Sequence, residues 1–347
     1  MLSHRNLDNL SRTNFLRNIQ NLKLPRNNLG NQGVFYLFGS EHLRHIRKID
    51  LSSNNIDWEG AQFISLNNKL PYLETLDLRV NRIGDDGFKL IIKSTKLNNI
   101  RDLKLDINKV SSAGAQQLSH VCNIPELRKL KVRQNDFGEQ GAQYIATTLA
   151  MRNLIHLNIS RNDISDNGVQ HLAEANYMSN LQKLYLDDNN LGSTAAQYLA
   201  LSKHINKLRV LSLRNNRFGQ EGFHYLLMSS NFSNLKELNI THNEISREGV
   251  HSMTQSKWFT NLEHLDIQEN TIGDVGAQVI SLCCMRNLKY LNIKHNQIGE
   301  SGYKCISECE SMPLLQTLYI YPGNLASMEA KKSLMRSKFL RSLSNVS

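Results

Sequence analysis

The sequence predicts an α/β solenoid, a curved right-handed coil with a parallel β-sheet on its concave face and helices on its convex face. Three observations predict it. An asparagine recurs at Asn27, Asn54, Asn81, Asn108, Asn135, Asn162, Asn189, Asn216, Asn243, Asn270 and Asn296, every step being 27 residues except the last, which is 26. Each asparagine ends the spacing L-x-x-L-x-L-x-x-N, as in Leu73-Glu74-Thr75-Leu76-Asp77-Leu78-Arg79-Val80-Asn81. A small residue follows six places later: Gly33, Gly60, Gly87, Gly114, Gly141, Gly168, Ala195, Gly222, Gly249, Gly276 and Gly302. A fixed period of this length marks stacked repeats rather than a single globular core.

Within the unit, Leu76-Asp77-Leu78 alternates with period two and reads as a short strand with its leucines turned inward. The asparagine follows where the backbone bends away, leaving amide and carbonyl groups that no ladder satisfies. Its side chain offers a donor and an acceptor for them, and stranding one such buried group costs roughly 1–3 kcal/mol. Alanine at position 195 implies that the glycine column needs small size more than a positive φ. Beyond it, Gly-Ala-Gln-x-Ile recurs at 60–64, 141–145 and 276–280, and Ala142, Ile145 and Leu149 have helical spacing. Parallel strands lie ~4.8 Å apart and helices need ~8–10 Å, so the stack is expected to curve into a horseshoe.

The repeats are expected over 19–325, about 11–12 of them. An N-terminal cap at 1–18 carries Leu7, Leu10, Phe15 and Leu16, and a basic capping helix at 326–347 carries Met335, Phe339 and Leu343 on one side. After Ile320 comes Tyr321-Pro322-Gly323, which puts Gly323 where the asparagine belongs and marks the end of the regular coil.

Net charge is +10, with +6 from residues 1–48 and +4 from 326–347, so the repeats between balance. A nucleic-acid binder carries a basic stripe along its working surface, and an excess held at the ends argues against one. The basic C-terminal segment could instead touch an anionic membrane. No apolar run approaches the ~20 residues of a membrane-spanning helix, and the start, MLSHRNLDNLSRTNF, lacks a signal-peptide core. Five cysteines, none before Cys122, make no disulfide framework. A cytoplasmic protein is expected.

Side chains flanking the inward leucines point out of the concave sheet, and three groups stand out there. Tyr290, Tyr319 and Tyr321, with Tyr185 further back, are large and amphipathic, as partner contacts tend to be. Lys104, Lys129, Lys131 and Arg133 form a basic cluster answered by Asp187 and Asp188, either a solvated charge ladder or a dock for an acidic partner. His242, Glu269 and His295 share one repeat position in consecutive units, a spacing that could hold zinc but arises easily by chance. Cys283 and Cys309, near Cys284 and Cys305, fall at the inward position that Leu149 fills elsewhere and read as core packing rather than a metal site. The chain has no G-x-x-x-x-G-K, G-x-S-x-G or H-E-x-x-H. No enzyme, cofactor, metal or small-molecule substrate is expected.

The unit N-x-[IL]-G-x-x-G, as in Asn81-Arg82-Ile83-Gly84-Asp85-Asp86-Gly87, resembles the ribonuclease-inhibitor-like class of leucine-rich repeats over about Ile19 to Leu325. The resemblance implies a scaffold that binds a partner protein in its concave face; in ribonuclease inhibitor the C-terminal repeats present tyrosines to the ligand. The same class includes the Ran GTPase-activating protein, which implies GTPase activation as an alternative, although that family's acidic tail is here a basic one. Frequent asparagine, isoleucine and lysine make the composition similar to that of effectors of intracellular bacteria. That likeness implies a host protein as partner and export without a classical signal peptide.

Overall fold

The computed structural model describes residues 9, 11–119, 123–338, 340, 343, 345 and 346. Leu7, Leu10, Cys122 and Phe339 lie outside the described residues, as do the side chains of Phe15 and Met335. The chain forms two compact units, 1–180 and 181–347.

Each repeat opens with three residues of strand, because x-Leu-x buries one side chain and leaves two on the open face. The first unit contains β1 Asn21–Lys23, β2 Lys48–Asp50, β3 Thr75–Asp77, β4 Asp102–Lys104, β5 Lys129–Lys131 and β6 His156–Asn158. They pair in parallel and in chain order, so that Leu22, Ile49, Leu76, Leu103, Leu130 and Leu157 make one buried row. Helices α1 Gly30–Gly39, α2 Trp58–Leu66, α3 Gly84–Lys93, α4 Ser112–Gln116, α5 Gly138–Thr147 and α6 Ser165–Glu174 return the chain on the other side of the core. The second unit repeats the plan with β7 Lys183–Tyr185, β8 Val210–Ser212, β9 Glu237–Asn239, β10 His264–Asp266, β11 Tyr290–Asn292 and β12 Thr317–Tyr319. Its helices are α7 Ser193–Leu201, α8 Gly219–Met228, α9 Gly273–Leu282 and α10 Glu300–Ser307, with a 3-10 turn at Gly249–Gln255 in the repeat of Asn243.

The asparagines tie each turn to its neighbours. Asn135 Nδ2 donates to the carbonyls of Leu105 (3.0 Å) and Val132 (2.9 Å), while its Oδ1 accepts the amides of Asn108 and Val110, both at 3.0 Å. The same reach back by thirty residues joins Asn54 to Leu24, Asn81 to Leu51, Asn216 to Leu186 and Asn270 to Ile240. The ladder runs one rung further than the sequence pattern, which stops at Gly323. Asn324 Oδ1 accepts the amides of Asn296 (2.8 Å) and Ile298 (3.1 Å), and its Nδ2 donates to Ile293 (3.0 Å). One extra residue in the Tyr321-Pro322-Gly323 loop shifts the asparagine by a place without removing its function.

The residue before each asparagine, from Arg26 to His295, is left-handed with φ between 53° and 57°. This turns the chain out of the strand. The next turn comes in two forms that the period does not reveal. After Asn27, Asn81, Asn135, Asn216 and Asn270, a glycine three places on is also left-handed (φ 55–60°), and Gly84 N–H, for example, donates to the Asn108 carbonyl at 2.9 Å. After Asn54, Asn108, Asn189 and Asn296 that place is extended and occupied by Asp57, Ser111, Gly192 and Gly299. There the following repeat donates instead, as Arg82 does to Ile56 at 2.7 Å.

The glycine column lies where helices meet. A Cβ on Gly60 would stand 2.4 Å from Ile56 Cγ2, and none of the column's glycines has a positive φ, so it is size that is limited. A second ladder, unseen in the sequence, closes the helix ends, where carbonyls lack intrahelical partners. Thirteen residues past the asparagine, Ser94 Oγ donates to Ser65, Ser229 Oγ to Ala200 (2.7 Å) and Cys309 Sγ to Ser281 (3.4 Å).

Three expectations are corrected. Leu149 does not point inward: α5 ends at Thr147, and Leu149 sits in a 3-10 turn with 54% of its surface exposed. Cys283 and Cys309 therefore belong to the serine column, beside buried Ser94, Ser202 and Ser229, and not to a leucine column. The segment 326–347 is not one helix: α11 spans Met328–Met335, and β13 Asn345–Val346 adds in parallel to β12.

Candidate protein-binding face

On the second unit, the register places His264, Tyr290 and Thr317 in one outward column and Asp266, Asn292 and Tyr319 in the next. The His264 ring stacks on Tyr290 with centroids 5.7 Å apart and planes 18° from parallel. Tyr290 meets Tyr319 at 5.5 Å, and Lys294 Nζ lies 4.5 Å above the Tyr319 ring, within cation–π range. The four side chains form a continuous row across β10 to β12. Burial first, then the Asp266 carboxylate and Tyr319, pushes the Tyr290 hydroxyl above the usual phenol range, so it stays a neutral donor. His264 and Lys294 complete the row although sequence reasoning passed over them; both stand in columns that the repeat register defines.

Tyr321 is half-buried in the loop after β12. Tyr185 lies on β7, with three strands between it and Tyr290, and burial followed by Glu237 and Asp187 raises its hydroxyl. Asp187 is engaged locally: it accepts the Ser212 hydroxyl and the Arg214 amide (2.9 Å).

The first unit presents charge instead. Asp77, only 2% exposed, holds Arg79 (2.7 Å) and Lys104 (3.4 Å). Asp106 accepts the Arg133 amide at 2.8 Å, and burial pushes its carboxyl above the usual range. Lys131 stands beside Lys104, and Lys129 beside Asp102, in the β4–β5 register. A depression of about 520 Å³ opens on this face, lined by Lys23, Lys48, Asp50, Asp77, Arg79 and Lys104.

His242 Nδ1 lies 3.4 Å from Glu269 Oε2, but no three His, Cys, Asp or Glu gather as a metal site among the described residues. Cys283 and Cys309 are buried and Cys284 is exposed. Among the described residues, no helix is long and apolar enough to cross a membrane.

The leucine-rich-repeat family profile matches seven segments: 42–65, 69–91, 150–173, 177–200, 233–253, 260–281 and 284–307. No curated protein sequence matches the chain. Similar solved structures include a chain of the yeast Rad7–Elc1 complex, with TM-score 0.61 and 14% identity over 99% of this chain and 77% of that one. An internalin (inlF) of Listeria monocytogenes gives TM-score 0.56 and 18% identity over 99% and 93%. A chain of the mouse RP105/MD-1 complex gives 0.51 and 15% over 85% and 49%. At these identities the likeness shows the fold alone. With the matched segments, the strand register and the asparagine ladder in agreement, the chain carries leucine-rich repeats and has the fold of an α/β leucine-rich-repeat solenoid.

Proposed function

We propose that the chain is a non-catalytic scaffold that binds a partner protein on its strand face. The observation that carries this reading is the row His264–Tyr290–Tyr319–Lys294, aromatic and cationic side chains held in register on open strands. Rings fixed by their neighbours lose little entropy when a partner covers them, and tyrosine offers both apolar area and a hydroxyl. Two of the similar folds come from structures of protein complexes, Rad7 with Elc1 and RP105 with MD-1, which supports the same reading. The compositional likeness to effectors directs the search for the partner to eukaryotic host proteins.

The test is affinity capture from eukaryotic lysate, identification of the partner, and titration of the purified pair with Tyr290, Tyr319 and Tyr321 changed to alanine. Loss of about 30-fold or more in affinity is expected, the scale of a hot spot. Unchanged affinity overturns the assignment of the site. A GTP-hydrolysis assay with small GTPases separates the scaffold from an activator, since acceleration by this chain would replace the binding reading.

A further inference from the structure

Charge is sorted in space as well as along the chain. In residues 1–180, the strands and the turns leaving them (20–26, 47–53, 74–80, 101–107, 128–134 and 155–161) hold 12 Lys and Arg against 5 Asp and Glu. The rest of that unit holds 11 against 12. The matching stretches of the second unit (182–188, 209–215, 236–242, 263–269, 289–295 and 316–322) hold 6 against 6. An excess of +7 therefore lies in the strand stretches of this unit, while its helices and return loops nearly balance at −1. Of this excess, Lys23, Arg26, Arg47 and Lys48 fall in the basic 1–48 stretch, and +3 arises on the strands of the otherwise balanced repeats beyond it.

Some of these cations are already committed. Glu74 pairs with Arg47 (2.7 Å) and Arg101 (3.7 Å), and Asp77 with Arg79 and Lys104. Lys23, Lys48, Lys129 and Lys131 have no ion pair among the described residues. Lys23 and Lys48 line the depression floored by Leu22 and Ile49; Lys129 and Lys131 share the outward side of β5.

We propose that this face docks an acidic protein segment, whose Asp and Glu carboxylates meet Lys23, Lys48, Lys129 and Lys131. The inference rests on the scaffold reading and adds a second contact region with its own chemistry. Nucleic acid fits less well for two reasons. The six stretches contain no Phe, Tyr or Trp on which a base could stack. Asp50, Asp77 and Asp106 lie among the lysines, and a phosphate backbone, charged at every step, cannot skip them. A peptide can space its acids to match. The attraction acts over about a Debye length, ~8 Å at physiological salt, so it would speed encounter and weaken as salt rises.

The experiment titrates the full chain with a labelled oligo-glutamate peptide and with a single-stranded oligonucleotide of equal charge, at low and at physiological salt. The peptide is expected to bind at low salt. The pairs Lys129→Glu with Lys131→Glu, and Lys23→Glu with Lys48→Glu, are each expected to weaken it about 10-fold or more. Lys203→Glu with Lys257→Glu, exposed in the second unit, should leave it unchanged. Thermal melts check that the variants fold, and either lysine pair suffices if the other does not. Failure of the peptide to bind, indifference to both charge reversals, or tighter binding of the oligonucleotide overturns the inference. A partner that depends on Tyr290 and Tyr319 yet binds the charge-reversed chain equally well overturns this inference alone and leaves the scaffold reading standing.

Discussion

Asn54 Nδ2 donates to the carbonyl of Leu24 at 2.8 Å, thirty residues earlier, while its Oδ1 accepts the amide of Asn27 at 2.9 Å. One side chain thus satisfies backbone groups of the preceding coil from a fully buried position. Groups in that position have no access to water, so each lost partner carries its full desolvation cost.

Asn135→Ala should therefore lower stability by roughly 2–4 kcal/mol, because it strands the Asn108 and Val110 amides and the Leu105 carbonyl, while the Val132 carbonyl keeps Asn162 as a donor. Asn27→Ala, at the half-buried first rung, should cost under ~1 kcal/mol. Urea denaturation followed by circular dichroism measures both. Equal midpoints for the two variants would refute the ladder's energetic role.

Val80 is held at φ 57° and is 45% exposed. A β-branched residue in the left-handed region bears about 1–2 kcal/mol of strain, which asparagine tolerates better. Val80→Asn should raise the melting temperature, the gain being about 0.5–1 kcal/mol after the lost apolar contact is subtracted. A lower melting temperature would show that the Val80 side chain matters more than its backbone.

Gly87→Ala should destabilise by about 1–3 kcal/mol, the range for overpacking. Its Cβ would stand 2.7 Å from Ile83 Cγ2 and 3.1 Å from both Ala61 Cβ and the Trp58 backbone. Thermal unfolding of this variant beside wild type decides the matter, and an unchanged midpoint would mean the helices can part at little cost.

Burial pushes the Cys283 thiol from its ordinary value near 9 up to about 12, so the folded state holds the proton more tightly than the unfolded chain. Its contribution is complete below pH 9 and is lost as pH rises toward about 12. At pH 8, iodoacetamide should label exposed Cys284 and spare Cys283 until urea unfolds the chain. Mass spectrometry of tryptic peptides reads both sites, and equal labelling of the native protein would refute the burial.

Where the sequence misled, it did so at positions whose surroundings come from other repeats. Leu149 has helical spacing, yet the helix has already ended two residues before it. Gly323 looked like the end of the ladder because the pattern allows no inserted residue, whereas the backbone absorbs one and seats Asn324. His264 and Lys294 carried no motif of their own; only the neighbours that stacking gave them, Tyr290 and Tyr319, made them part of a row.

The sequence alone determined the repeat, its buried leucine rows and the asparagine column, because each is a demand of the unit on itself and returns with every period. Tertiary structure decided which turn form each repeat takes, which cations are neutralised and which stay open, and which rings touch. Those depend on residues about 27 positions apart, brought side by side by parallel strands ~4.8 Å apart. Adjacency across the stack cannot be read along the chain until the register is known.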